Sequence, residues 1–139
     1  MKKIVVIDGQ GGKLGRLLIE QLKLAGIPNF EIMAVGTNSI ATATMLKAGA
    51  DSGATGENPV VVACRDADVV VGPIGIIATD ALNGEITATM TKAVGSCRAH
   101  KVLLPVSKCR ISVVGLETMP TSELVDLAVQ RVIDVLKEK

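Results

Sequence analysis

The sequence predicts an α/β fold: a three-layer sandwich in which helices cover both faces of a mostly parallel sheet. Three observations lead there. Short runs of Val and Ile alternate with stretches whose apolar residues recur every three or four positions. Hydrophobic residues make up 48% of the chain while Phe30 is its single aromatic, so the core is built from Val, Ile, Leu, Ala and Met, side chains that suit strands buried on both faces. A length of 139 residues fits one domain, expected over 1–139, with interior enough to need no covalent staple.

The elements follow in order. Residues 3–8 are the first strand, around Ile4-Val5-Val6-Ile7. Past a glycine cluster, Leu14, Leu17, Leu18, Leu22 and Ala25 form one apolar stripe of a helix that Gly26 and Pro28 stop. Residues 30–35 are the second strand, and Asn38 or Ser39 caps a helix that Gly49 ends. Residues 51–58 (DSGATGEN) are a polar, turn-rich loop. Asn58 then reads as an N-cap and Pro59 as the first position of a short helix over 59–66, although Val60-Val61-Val62 suits a strand as well. Residues 68–72 are a buried strand, and 73–84 are irregular, broken by Pro73, Gly75 and Asn83-Gly84. A helix over 85–99 aligns Ile86, Met90, Ala93, Val94 and Cys97; strands follow at 101–105 and 111–114. Thr121 caps a last helix to about 137, with Leu124, Leu127, Ala128, Val132, Val135 and Leu136 on its apolar side.

Composition excludes several function classes. Fifteen Lys and Arg against fourteen Asp and Glu leave +1, which gives no basic field for nucleic acid. One aromatic gives no stacking platform for bases. No apolar run is long enough to span a bilayer, and the first one stops at Asp8, too soon for a signal peptide. A cytoplasmic protein is expected. Its mean hydropathy of +0.45 is high for a small monomer, and the excess reads as buried contact in a homo-oligomer. Cys64, Cys97, Cys109 and His100 are widely spaced with no CxxC, so thiols in a reducing cytosol are expected rather than a metal site. Cys109 lies between Lys108 and Arg110, cations that would lower a thiol pKa, though a buried strand cysteine fits as well. His100 is expected near a helix end, complementing the dipole.

The main chemical signal is Asp8-Gly9-Gln10-Gly11-Gly12-Lys13-Leu14-Gly15-Arg16, between a strand and a helix. Gly9, Gly12 and Gly15 satisfy G-x-x-G-x-x-G; the commoner G-x-G-x-x-G fails because its third glycine falls on Leu14. In a Rossmann-like fold such glycines turn the chain tightly, let backbone approach a pyrophosphate and pack helix on strand. The helix N-terminus offers N–H groups and partial positive charge to phosphate. A Walker A loop does not fit, since Arg16 and Leu17 follow Gly15. The second strand ends in Val35-Gly36-Thr37-Asn38, without the acid that usually reads ribose hydroxyls. Asp8 would repel a phosphate unless a cation such as Arg16 offsets it. The alternative is a turn that only packs helix on strand.

Ligands of open α/β sheets sit beyond the carboxyl ends of the strands. The candidate ligand-binding residues there are Asp8, Gly9, Gly11, Gly12, Gly15, Thr37, Asn38, Thr55, Gly56, Glu57 and Pro73, expected to meet across one crevice. The candidate cofactors are NAD(P) or another nucleotide. Gly12→Val is expected to abolish binding while the domain still folds. Glu57, Asp80 and Glu85 are candidate acid–base carboxylates, each without a fixed partner visible in sequence. Taken singly, Asn38 and Asn58 read first as simple caps, and the case for a site rests on the convergence of the loops.

The stretches IVVIDGQGG (4–12), GTNSIATATMLKAGAD (36–51), GATGENP (53–59), DADVVVGPIGIIATDALNGEIT (66–87) and KVLLPVSKC (101–109) together resemble the bacterial family catalogued as domain of unknown function 3842. The resemblance covers most of the chain and implies relatedness and bacterial origin; it brings no activity with it. The order of elements over 67–105 is also similar to Rossmann-like sugar-phosphate isomerases, but their motif residues are lacking. Two functions are therefore expected: binding of a nucleotide or other phosphorylated small molecule at the glycine turn, or a non-catalytic oligomeric sensor or scaffold.

Overall fold

A computed structural model describes residues 1–106, 110–116 and 118–138. Five strands, β1 (Lys2–Asp8), β2 (Phe30–Gly36), β3 (Ser52–Thr55), β4 (Val69–Pro73) and β5 (His100–Leu104), alternate with helices α1 (Lys13–Leu24), α2 (Ser39–Lys47), α3 (Glu57–Cys64), α4 (Ala88–Ser96) and α5 (Thr121–Glu138). A 3-10 turn, Ile74–Ile77, follows β4. The strands form one sheet in the order β3-β2-β1-β4-β5, and every pairing is parallel. The fold is thus the expected Rossmann-like α/β sandwich, with strand order reversing between β2-β1 and β4-β5.

The alternation of side chains along β1 makes two cores. Ile4 and Val6 face α1, α2 and α5, packing against Leu18, Ile19, Leu22, Met45, Val129 and Val132. Val5 and Ile7 face α3 and α4, packing against Val60, Ala63, Ile76, Met90 and Val94. All four β1 side chains are buried, which explains an unbroken apolar run at the sheet centre. Because every strand runs the same way, Asp8, Gly36, Thr55, Pro73 and Leu104 end on one edge.

Several local expectations are corrected. The polar 51–58 segment contains β3, a four-residue edge strand whose exposed side chains hid it from a hydrophobicity reading. Asp51 anchors its start, accepting the Ile32 N–H at 2.8 Å. Gly56, not Asn58, is the N-cap of α3, so Asn58 and Pro59 lie inside the first turn. Helix α4 begins three residues later than expected, at Ala88, because Thr87 caps it by accepting the Met90 N–H at 3.2 Å. It ends by Ser96, so His100 starts β5 instead of closing a helix. The apolar run 111–114 forms no strand; Ile111, Val113 and Val114 are exposed, with no ladder partner among the described residues. Thr121 is the first residue of α5 rather than a cap before it. Cys109 and its neighbour Lys108 lie outside the described residues. Asn38 does cap α2, its Oδ1 accepting the Ala41 N–H at 2.9 Å.

Candidate functional site

The edge where the strands end carries a cleft of about 470 Å³, walled by Asp8, Gly9, Gln10, Gly11, Gly12, Lys13 and Leu14 on one side and by Pro73, Leu82, Asn83 and Val106 on the other. Its floor is the N-terminus of α1. The N-cap there is Gly12, with φ 75 and no side chain to cap with. Asp8 performs the capping instead. Its Oδ1 accepts the Gly9 N–H at 2.8 Å and its Oδ2 accepts the Gly15 N–H at 2.7 Å. Burial pushes the Asp8 carboxyl above its ordinary range, and the nearby Glu85 charge adds to that, against the opposing pull of the Gly15, Gly9 and Leu14 N–H groups. Arg16 does not offset this charge, since its guanidinium pairs with Glu20 at 3.2 Å. Among the described residues, the cation on the cleft wall is Lys13.

The four glycines between 9 and 15 have different reasons to be glycine. A Cβ at Gly9 would stand 2.5 Å from Thr37 Oγ1 and 2.8 Å from both Glu85 Oε1 and Leu82 Cδ1. One at Gly12 would press on Ala41 backbone at 2.9 Å, in a left-handed conformation besides. One at Gly15 would collide with Met45 of α2 and sit 3.1 Å from Asp8 Cβ. These three, the glycines of the sequence motif, are all required by packing. Gly11 is not: a Cβ there meets no described atom within 4 Å, its φ is not positive, and it lines the cleft. The expectation that Gly12→Val leaves the fold intact is therefore corrected, because the Ala41 backbone occupies the needed space.

Thr37 and Asn38 stand at the end of β2, where the sequence offers no acid. The structure brings one from elsewhere. Glu85 Oε1 accepts the Thr37 hydroxyl at 2.5 Å, the Gln10 N–H at 2.9 Å and the Asn38 side-chain amide at 3.0 Å. Asn38 also donates to the Gln10 carbonyl at 2.9 Å. Partial burial works against the charged Glu85 carboxyl, but the bonds from Thr37, Gln10 and Asn38 outweigh it and hold its pKa below the ordinary range. Glu57 is likewise engaged, accepting the Thr87 hydroxyl at 2.5 Å. Thr55 shares a hydroxyl contact of 2.7 Å with Thr42, and the Gly56 N–H donates to the Gly36 carbonyl.

The candidate residues thus share one edge but fall into two groups. Asp8, Gly9, Gly11, Gly12 and Pro73 line the cleft; Thr37, Asn38, Thr55, Gly56 and Glu57 bond to other parts of the protein and are not among its walls. Gly15 lies beneath, against Asp8. Sequence reasoning missed Gln10, Lys13, Leu14, Leu82, Asn83 and Val106 as cleft walls. Asn83-Gly84 carried a signal, read only as a chain breaker.

This is a Rossmann-like α/β protein whose glycine turn opens onto a cleft at the reversal of strand order. A family model described as Domain of unknown function (DUF3842) matches residues 3–137, and the chain belongs to that family. No curated protein matches it. Among solved structures it is similar to one titled as a dodecameric FMN-dependent UbiX-like decarboxylase from Escherichia coli O157:H7, at 18% identity and a TM-score of 0.48, over 99% of this chain and 95% of that one. Among the described residues, no helix is long and apolar enough to cross a membrane.

Proposed function

We propose that this protein binds a small phosphorylated ligand of the nucleotide class in the cleft above α1. The observation that carries the reading is Gly11. Among the described residues, it is the one glycine of the turn that neither packing nor backbone conformation requires, and it stands on the cleft wall. A glycine kept bare at such a place suits close approach of a ligand to the backbone. Among the described residues, the Gly11 and Lys13 N–H groups meet no acceptor, and the Lys13 ammonium stands beside them on the wall. Together with the positive end of the α1 dipole they suit a phosphate. Pro73, Leu82 and Val106 supply apolar surface for the rest of the ligand.

Binding without catalysis is the version the site favours. Among the described residues, the titratable ones on the cleft wall are Asp8 and Lys13, and both Asp8 oxygens are already held by backbone N–H groups. Among the described residues that leaves no carboxylate poised as a general base, and a sensor or carrier role fits it. The test is a calorimetric titration with inorganic phosphate, nucleoside monophosphates, flavin mononucleotide and NAD. At least one is expected to bind wild type, and Gly11→Val, which adds bulk at an open wall, is expected to weaken that ligand by about tenfold or more while melting normally. Equal affinity for the variant, or no binding by wild type, overturns the reading.

A further inference from the structure

Resting on that reading, we infer that Glu85 restricts the cleft to ligands of mononucleotide size by closing the β2 side of the glycine turn, across which a dinucleotide would have to lie. In Rossmann-type sites a dinucleotide straddles the reversal of strand order. Its pyrophosphate rests on the first helix, one nucleoside lies over the end of β2, and the ribose there is read by residues at that strand end. Here that half of the crevice is filled by the protein itself.

The filling is tight and specific. The Thr37 hydroxyl and the Asn38 amide, the groups best placed to meet a ribose, both donate to Glu85 Oε1, and so does the Gln10 N–H of the glycine turn. The second Asn38 function is spent on capping α2. The space between the turn and this carboxylate would not admit one methyl group, since a Cβ on Gly9 would be 2.8 Å from Glu85 Oε1 and from Leu82 Cδ1 alike. A ligand therefore cannot pass from the α1 N-terminus toward β2 while Glu85 is seated. It would also meet a negative charge there, which opposes a second phosphate. On the other side of Gly9, toward Pro73, Asn83 and Val106, the described residues leave the cleft open.

The segment carrying Glu85 is held in place from several directions. Asp80, Leu82 and Asn83 have φ of 69, 56 and 56, left-handed values that cost energy in non-glycine residues. Such a conformation persists where surrounding bonds over-determine it. Here the Asp80 N–H donates to the Ile86 carbonyl at 2.7 Å, the Ile86 N–H to the Ala81 carbonyl at 3.2 Å, and the Glu85 N–H to the Leu82 carbonyl at 3.1 Å. The Thr87–Glu57 bond fixes the far end to α3. One loop thus forms the open wall of the cleft with Leu82 and Asn83 and closes the opposite side with Glu85.

The experiment compares NAD with its two halves, adenosine monophosphate and nicotinamide mononucleotide, and with inorganic phosphate, on wild type, Glu85→Ala and Glu85→Gln. One half is expected to bind wild type about tenfold more tightly than NAD. Glu85→Ala should narrow that ratio by raising NAD affinity, and Glu85→Gln, which keeps an acceptor of the same size, should preserve it. Hydrogen exchange at the Gln10 amide gives a reading independent of ligand: protected in wild type and in Glu85→Gln, exposed in Glu85→Ala, and still protected with the half-nucleotide bound. NAD binding to wild type as tightly as either half, or an unprotected Gln10 amide in wild type, overturns this inference and leaves phosphate binding standing. Failure of every probe, phosphate included, on wild type overturns both.

Discussion

Asp8 offers the sharpest check on the electrostatics of the cleft. Asp8→Ala removes the acceptor of two backbone N–H groups, at 2.8 and 2.7 Å, beneath a side chain only 6% exposed. Leaving a buried donor unpaired costs about 1–3 kcal/mol, so two set a range of roughly 2–6 kcal/mol at most. Two features move the expectation to its lower end. The raised pKa shows that burial of the charge outweighs the hydrogen bonds that favour it, so deleting the carboxylate also removes a desolvation cost at neutral pH. Asp8 also borders the cleft, from which water can reach the vacated N–H groups. The expected loss at pH 7 is about 2 kcal/mol. The pH dependence has a definite sign. A carboxyl whose folded pKa lies above the unfolded value of 3.8 binds more protons folded than unfolded in the interval between the two. Its contribution to stability therefore falls as pH rises through that interval and is flat above it. Urea denaturation of wild type and Asp8→Ala at a series of pH values from about 3.5 to 8 measures the difference. Wild type should lead by more at the acid end. A lead that grows with rising pH would mean that the hydrogen bonds dominate the burial and would refute the argument.

Two further outcomes follow from the geometry. Gly12→Val should lose at least about 2 kcal/mol of stability, because a β-branched residue must take φ 75 against the Ala41 backbone; thermal melting of this variant beside Gly11→Val separates the two glycines, and equal melting temperatures would contradict the packing assignment. The exposed run of Ile111, Val113, Val114 and Leu116, with Val114 98% exposed, is apolar surface that a second copy of the chain would cover, so sedimentation at micromolar concentration should give at least twice 14.4 kDa, and a monomer would remove the expectation of a homo-oligomer.

What was legible in the sequence was whatever burial dictates. β1 and β4 announced themselves because both faces of a central parallel strand are covered, leaving an unbroken Val/Ile run, and β2 through Ile32, Ala34 and Val35, buried beside them. The stripes of α1 and α5 were legible because each buries one face. β3 was not, because an edge strand of Ser, Gly, Ala and Thr is made by its ladder to β2, and backbone pairing leaves no trace in side-chain hydrophobicity. The opposite error arose at 111–114, where apolar residues mimic a strand but lack a neighbour to pair with among the described residues. The start of α4 shifted because Glu85 and Ile86 are spent on turn contacts before Thr87 begins the helix.

The site was half legible for a related reason. A motif such as G-x-x-G-x-x-G records only where side chains are forbidden, and protein and ligand forbid them equally. In this fold Gly9 yields its space to Glu85 and Leu82, Gly12 to α2, and Gly15 to Met45 and Asp8, so the motif by itself is fully explained by packing. The spare glycine, Gly11, lies off the pattern and carries more weight for a ligand than the three that fit it. The acid missing from the end of β2 follows the same logic in reverse. Spacing along the chain placed it near residue 38, whereas the fold delivers it from residue 85, seventy-five positions after the Gln10 N–H it accepts. That carboxylate is bound by the groups a ribose would have used, and this is why the same strand end that looked incomplete in sequence is closed in the structure. On the proposed reading, specificity in this cleft turns on one contact between distant residues: with Glu85 seated, a ligand would lie toward β4 and β5, and its length, not its phosphate, would decide whether it fits.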